Sequence, residues 1–127
     1  MISKGAEYSL RVVVLLSRNK GRRLVASEIS EQTKISIAYI PKVVKPLIAA
    51  GFITSNRGVN GGYALKRSSK LITILDILNV VGNAQDEYVE RTELSENFGS
   101  LCKKLEQLDA HILDFCAKTT VAQLSAS

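Results

Sequence analysis

The chain has 127 residues, 46% of them hydrophobic, and a formal net charge of +5 at pH 7. That length fits one domain able to bury a core without disulfide or metal staples, and the apolar content excludes a disordered chain. The longest apolar run, Val12 to Leu16, is far short of the roughly 20 residues a membrane span needs.

Met1 to Gly5 lacks the apolar core and cleavage site of a signal peptide, so a cytoplasmic location away from membranes is expected. The charge is unevenly spread. Residues 1–70 hold 13 Lys or Arg against Glu7, Glu28 and Glu31, a net +10, whereas residues 71–127 hold four cations against nine acids, a net −5. A basic half facing a polyanion gains affinity by releasing counterions from phosphates. A merely soluble basic surface would account for the total but not for the split.

The first helix is predicted over Lys4 to Arg18, with Ser3 as N-cap and Tyr8, Val12, Leu15 and Leu16 facing inward together. The polar run Asn19 to Arg23 ends it. A second helix follows over about Ser27 to Thr33, with Ile29 inward. Ile35-Ser36 reads as a turn, with Ser36 able to cap a third helix over about Ile37 to Ala50. That helix directs Ile40, Val43, Val44, Leu47 and Ile48 to the core and stops at Gly51. Both prolines, Pro41 and Pro46, lie inside it. Proline costs a helix interior about 3 kcal/mol, so a bend, or a start nearer Ile40, is expected.

Gly51 to Leu65 reads GFITSNRGVNGGYAL. Two β-type runs, Phe52 to Ser55 and Tyr63 to Leu65, flank Gly58, Asn60, Gly61 and Gly62, residue types that tolerate the positive φ of tight strand reversal. Arg57 sits at the shoulder of a tip whose residues are too small to pack into a core. A hairpin of this kind after a helix-turn-helix pattern has the look of a DNA-binding wing.

Lys66 to Lys70 is a polar connector, Ile74 to Val81 a short helix ended by Gly82, and Asn83 to Thr92 an acidic loop. Leu94, Phe98, Leu101, Leu105, Leu108, Ile112 and Phe115 then recur at alternating intervals of four and three. This is a heptad seam on a helix of about 24 residues. So narrow a seam suits a second copy of the chain; the other reading is a helix folding back on its own domain. The fold class is mainly α with a small β-hairpin: a winged helix-turn-helix domain over 1–82, then an acidic loop and dimerisation helix over 83–127.

Cys102 and Cys116 both fall in the long helix, fourteen residues and about 21 Å apart, which excludes an intrachain bridge within an intact helix. Both border the seam. They are either small packing residues or thiol-based redox sensors able to bridge between copies. His111 is the only histidine. Asp109, Asp114 and Cys116 do not share one face with it, so it reads as a surface residue and no metal site is expected.

The order of parts resembles the Rrf2 family of bacterial transcription regulators. The resemblance rests on Ile35-Ser36 with Tyr39, Leu47 with Ala50-Gly51, Ser55 with Arg57-Gly58, Gly61-Gly62-Tyr63, Ile72-Thr73, and Thr119-Thr120 through Leu124. It spans essentially the whole chain and implies a homodimer whose two winged helices read a palindromic operator in double-stranded DNA. By position it implies that Ser36, Ala38, Tyr39, Pro41 and Lys42 face the major groove or flanking phosphates. It likewise puts Arg57 in the minor groove and Lys4 on a phosphate.

Pro41 departs from relatives that carry a polar base reader there. Readout would then lean on Arg57, Asn60 and apolar contacts to thymine methyls. Tyr39 is equally readable as a phosphate contact or as packing; packing is favoured for Tyr63. Cluster-binding members carry three cysteines between the short and long helices, and Gly82 to Leu94 here has none, so no cofactor is expected.

An enzyme is not expected, because the glycine-rich turn has no P-loop lysine and no nucleophile is paired with a base. The reading is a DNA-binding regulator, a repressor acting as a homodimer, with a small-molecule effector left open. The alternative is a winged-helix protein-interaction module or a thiol-based redox sensor whose main partner is another protein.

Overall fold

Ser3 opens the first helix, its Oγ accepting the Ala6 N–H at 3.1 Å, and α1 runs over Lys4–Arg18 as the periodicity predicts. The computed structural model describes residues 2–82 and 97–126. The apolar stripe of α1 is deeply buried: Val12 and Val13 are fully covered, and Leu15 and Leu16 nearly so. The hydroxyl of buried Ser9 donates to the Gly5 carbonyl, so no polar group is stranded there.

After α1, Leu24 exchanges two backbone hydrogen bonds with Tyr63, at 2.9 and 2.8 Å. Helix α2 spans Ala26–Thr33, one residue earlier than predicted. The Glu28 side chain reaches back to the Val25 N–H at 3.1 Å. That hydrogen bond, and then the Arg22 guanidinium at 3.0 Å, hold its carboxyl below the usual range. Lys34 ends α2 in the left-handed conformation at φ 64°, which lets Ile35 turn inward to near-complete burial.

Ile37–Tyr39 is a 3-10 turn, not the first turn of an α-helix, and α3 proper covers Ile40–Ala49. The prolines explain this. Pro41 lies in the first turn, where an N–H is not needed, whereas Pro46 has none to give the Lys42 carbonyl. Ser36 does not cap through its side chain; its carbonyl accepts the Tyr39 N–H instead. Ile48, expected in the core, is 36% exposed, because the buried stripe is carried by Ile40, Val43, Val44 and Leu47.

Strands β1 (Ile53–Asn56) and β2 (Gly62–Leu65) pair antiparallel, Ile53 opposite Leu65 and Asn56 opposite Gly62. A 3-10 turn at Ser69–Leu71 leads to α4, Ile74–Val81. Thr73 and Asp76 cap α4 reciprocally, Thr73 Oγ1 accepting the Asp76 N–H at 3.1 Å and Asp76 Oδ2 the Thr73 N–H at 2.9 Å.

Helix α5 covers Gly99–Lys118, shorter than the predicted 24 residues, and Phe98 is its N-cap. Leu94 and the acidic stretch Asn83 to Thr92 lie outside the described residues. A last short helix, α6 (Val121–Leu124), returns to the first unit: the Val121 N–H donates to the Ile72 carbonyl at 2.7 Å, and Val121 is fully buried in the main core. No helix among the described residues is long and apolar enough to cross a membrane.

The hairpin depends on one close approach. Gly62 has φ +122°, and a Cβ there would stand 2.7 Å from the Leu24 carbonyl oxygen. Gly58 also has positive φ, but its Cβ would meet open space. Gly62→Ala should therefore destabilise the chain by about 1–3 kcal/mol, and clearly more than Gly58→Ala. Urea titration of the two variants checks this; equal midpoints would contradict the Leu24 contact as the reason for glycine at 62.

Candidate nucleic-acid interface

The turn between α2 and α3 presents four consecutive exposed residues, Ser36, Ile37, Ala38 and Tyr39, followed on the same segment by exposed Pro41, Lys42 and Lys45. Beneath them Ile35 and Ile40 are buried, so the segment is anchored from both ends while its outer side stays bare. The Ser36 hydroxyl makes no hydrogen bond to any described residue, leaving donor and acceptor unused. Ile37 is 53% exposed. Sequence reasoning did not select it, since an apolar residue at a helix start reads as core; the turn chemistry alone does not reveal which way it points.

Tyr39 is tied down by aromatic contact. Its ring meets Tyr8 of α1 edge-on, centroids 5.8 Å apart. Lys4 Nζ and Arg11 Cζ lie over the same Tyr8 ring at 5.4 and 5.3 Å. Arg11 also donates to the Thr33 carbonyl at the end of α2 and pairs with Glu7. Lys4, Tyr8 and Tyr39 thus form one polar-aromatic corner joining the start of α1 to the exposed turn. Tyr39 remains partly exposed, so packing of the ring and access to its hydroxyl coexist.

The wing tip holds Arg57, Gly58, Val59 and Asn60, all exposed, Val59 completely. Arg57 and Lys42 pair with no carboxylate among the described residues. The wing is braced from behind by Arg23. Its Nη1 donates to Thr54 Oγ1 at 3.2 Å, and its Nη2 to Asn56 Oδ1 at 3.1 Å with the Asn56 amide set so that its nitrogen donates to the Ser55 carbonyl. Arg23 went unnoticed in the sequence because it sits in an undifferentiated basic run. Tyr63, by contrast, is half-buried against the main core. The wing tip and the exposed turn are therefore separate elements held on one core, with cations and hydroxyls outward.

On α5 the seam faces water: Phe98, Leu101 and Leu108 are each about half exposed, Phe115 more so and Ile112 less, with Leu105 half-buried. The cysteines do not share that exposure. Cys102 and Cys116 are 7% and 6% exposed, about 80° round the helix from the seam at 100° per residue. Cys116 packs with Ala6, Ile74 and Leu78, so this side of α5 does fold back on its own chain. Burial pushes the Cys116 thiol up, which keeps it protonated at neutral pH and away from the reactive thiolate. His111 is exposed, and no group of three His, Cys, Asp or Glu among the described residues could hold a metal.

The sequence matches the Rrf2 family, described as an iron-dependent transcriptional regulator, over residues 2–127. An Aquifex aeolicus protein, named by inference as an HTH-type transcriptional regulator, is 28% identical over 98% of this chain and 90% of its own. BadM of Rhodopseudomonas palustris, named in the same way, is 34% identical, but the match covers 61% of this chain and about half (49%) of that one. Among solved structures, CymR, the global cysteine regulator of B. subtilis, superposes with a TM-score of 0.85 at 25% identity, covering 99% of this chain and 96% of that one.

The family description raises iron, and the donor set does not fit a cysteine-ligated cluster. The whole sequence has two cysteines, and they sit about 21 Å apart along one helix with their side chains buried. Family match, helix-turn-helix, wing and long terminal helix agree from end to end: the chain belongs to the Rrf2 family of transcriptional regulators.

Proposed function

We propose that the chain is a homodimeric, sequence-specific repressor that reads a palindromic operator, with the α3 segment in the major groove and Arg57 in the minor groove. The observation that carries the reading is the bare outer side of Ser36–Tyr39 together with an exposed wing-tip arginine, on a half of the chain with net charge +10. Phosphates would be met by Lys4, the Ser36 hydroxyl, Tyr39 and Lys42. Each is exposed or partly exposed, and each lies on or beside the same turn. Asn60, next to Arg57 on the tip, supplies the amide able to contact a minor-groove edge.

No arginine, asparagine or glutamine lies between Ser36 and Ile48, so the usual bidentate base readers are missing from the major-groove segment. Ile37, Ala38 and Pro41 offer methyl and methylene groups instead, which fit thymine methyls. The seam Leu101, Leu105, Leu108, Ile112 and Phe115, with Phe98 at its head, supports pairing of two α5 helices. One chain leaves most of these residues in water.

Arg57→Ala should lower affinity for an operator selected from random duplexes by about tenfold or more, roughly 1.4 kcal/mol, with the dimer intact by sedimentation. Unchanged affinity would remove Arg57 from the interface. Replacing operator thymines by deoxyuridine should weaken binding about fourfold per methyl lost, at roughly 0.8 kcal/mol each. Ile37→Ala should erase that difference at one step of each half-site, read as a double-mutant cycle; equal methyl sensitivity in both proteins would rule Ile37 out. Leu108→Asp should yield monomers with unchanged circular dichroism, because Leu108 is already 52% exposed in the single chain. Dimers persisting at micromolar concentration would count against the seam.

A further inference from the structure

A cleft of about 380 Å3 opens between the C-terminal end of α1 and the stretch where β2 runs into the 3-10 turn at Ser69–Leu71. Lys20 lines one wall; Lys66, Arg67, Ser68, Ser69 and Lys70 line the other. Its lining contains four cations and no Asp or Glu. A second groove along α1, by comparison, sets Glu7 among its arginines. Lys20, Lys66 and Lys70 pair with no carboxylate among the described residues. Like charges converging on one concavity repel, and an anion placed among them relieves that repulsion.

The second wall is built, not loose. Arg67 lies over the Phe52 ring at 4.5 Å and donates to the Ala50 carbonyl at 3.3 Å. Those contacts hold the guanidinium against Ala50 and Phe52, outside the lining of the cleft, so Arg67 braces this wall. The Ser68 Oγ accepts the Lys70 N–H at 3.3 Å, and the Ser68 carbonyl accepts the Leu71 N–H at 2.9 Å, shaping the turn. Leu16, Ala64 and Leu65 add an apolar strip. The volume lies within the roughly 300–1,000 Å3 of small-ligand pockets.

The cleft is set apart from the proposed DNA-reading elements. Leu16, in its lining, is about 12 Å along α1 from Tyr8, which carries the contact to Tyr39. Leu65 lies at the base of the hairpin, three residues or about 10 Å from the Asn56–Gly62 pair at the tip end.

We propose that this cleft binds a small phosphate-bearing metabolite, whose charge is met by Lys20, Lys66 and Lys70. Because Ala64 and Leu65 belong to the wing strand, an occupant preferring one setting of the wing shifts operator affinity by its differential binding. That consequence, though not the binding, rests on the regulator reading above.

The test uses inorganic pyrophosphate as probe, titrated at constant ionic strength into the free 127-residue chain while backbone amide shifts are followed by NMR. Saturable shifts at Gly21, Ser68 and Ser69, lost in the Lys20→Gln/Lys70→Gln variant, are expected. Shifts that fail to saturate and appear equally around Lys42 and Arg57 would show a diffuse ion atmosphere and overturn the proposal. The same variant is then titrated with operator duplex across a salt series. An unchanged slope is expected; a slope reduced by about two would make these lysines DNA-phosphate contacts and also overturn it. If neither protein binds duplex at all, the regulator reading falls, while the pyrophosphate result still decides the cleft.

Discussion

Burial of α1 is the interaction on which the remaining architecture depends. Its stripe of Val12, Val13 and Leu16 belongs to one core with Ile29 of α2, Val44 and Leu47 of α3, Ile53 of β1, Ile77 of α4 and Val121 of α6. Each such side chain contributes roughly 1.5–3 kcal/mol on leaving water. The geometric consequence matters more than the sum. Elements that share one buried helix cannot shift independently, because close-packed interiors resist continuous deformation. The exposed turn and the base of the wing are therefore anchored in one core through Ile35, Ile40 and Ile53. Polar contacts add to that anchoring: Arg11 joins α1 to the end of α2, and Arg23 joins the chain before α2 to β1.

The outward side shows the complementary economy. Ile37 and Val59 remain in water, a cost the free chain does not recover. Their neighbours Ser36, Lys42, Arg57 and Asn60 are polar and exposed. Apolar residues framed by hydroxyls, an amide and cations match a duplex groove, where methyl groups and base edges lie between rows of phosphate.

How far the sequence could be read depended on whether an element announces itself locally. The bounds of α1 follow from its apolar period and the capping Ser3, and the end of α4 from Gly82. The hairpin follows from its glycines. Contacts made by single residues across the chain leave no such trace. Leu24 pairing with Tyr63, and the fully buried Val121 on a four-residue helix, belong to segments too short to show periodicity. Ile48 was misread because position in a helical stripe does not tell where the stripe ends; only the neighbouring elements do. In the candidate interface the exposed cations Arg57 and Lys42 could be picked out from charge and turn position alone, whereas Ile37 and Arg23 could not, since their placement depends on the 3-10 turn and on reach to Thr54 and Asn56.

Helix α5 has one buried and one exposed face, and the join at its end ties both to the rest of the chain. One face packs Cys116 against Ala6, Ile74 and Leu78, while the other keeps Leu101, Leu108 and Phe115 in water. At its C-terminus the chain is clamped to the α4 entrance: the Thr119 carbonyl accepts the Ile74 N–H at 3.0 Å, and Val121 bonds back to Ile72. The helix is therefore not a free tail on the core built around α1. In the proposed dimer, pairing two such helices would set both the separation and the orientation of the two units. Palindromic sites demand this, since half-sites one helical turn apart are about 34–36 Å centre to centre. A flexible joint would allow many spacings and discriminate among none, so in the proposed dimer the buried face of α5 would contribute to operator selection alongside the residues proposed to meet the bases.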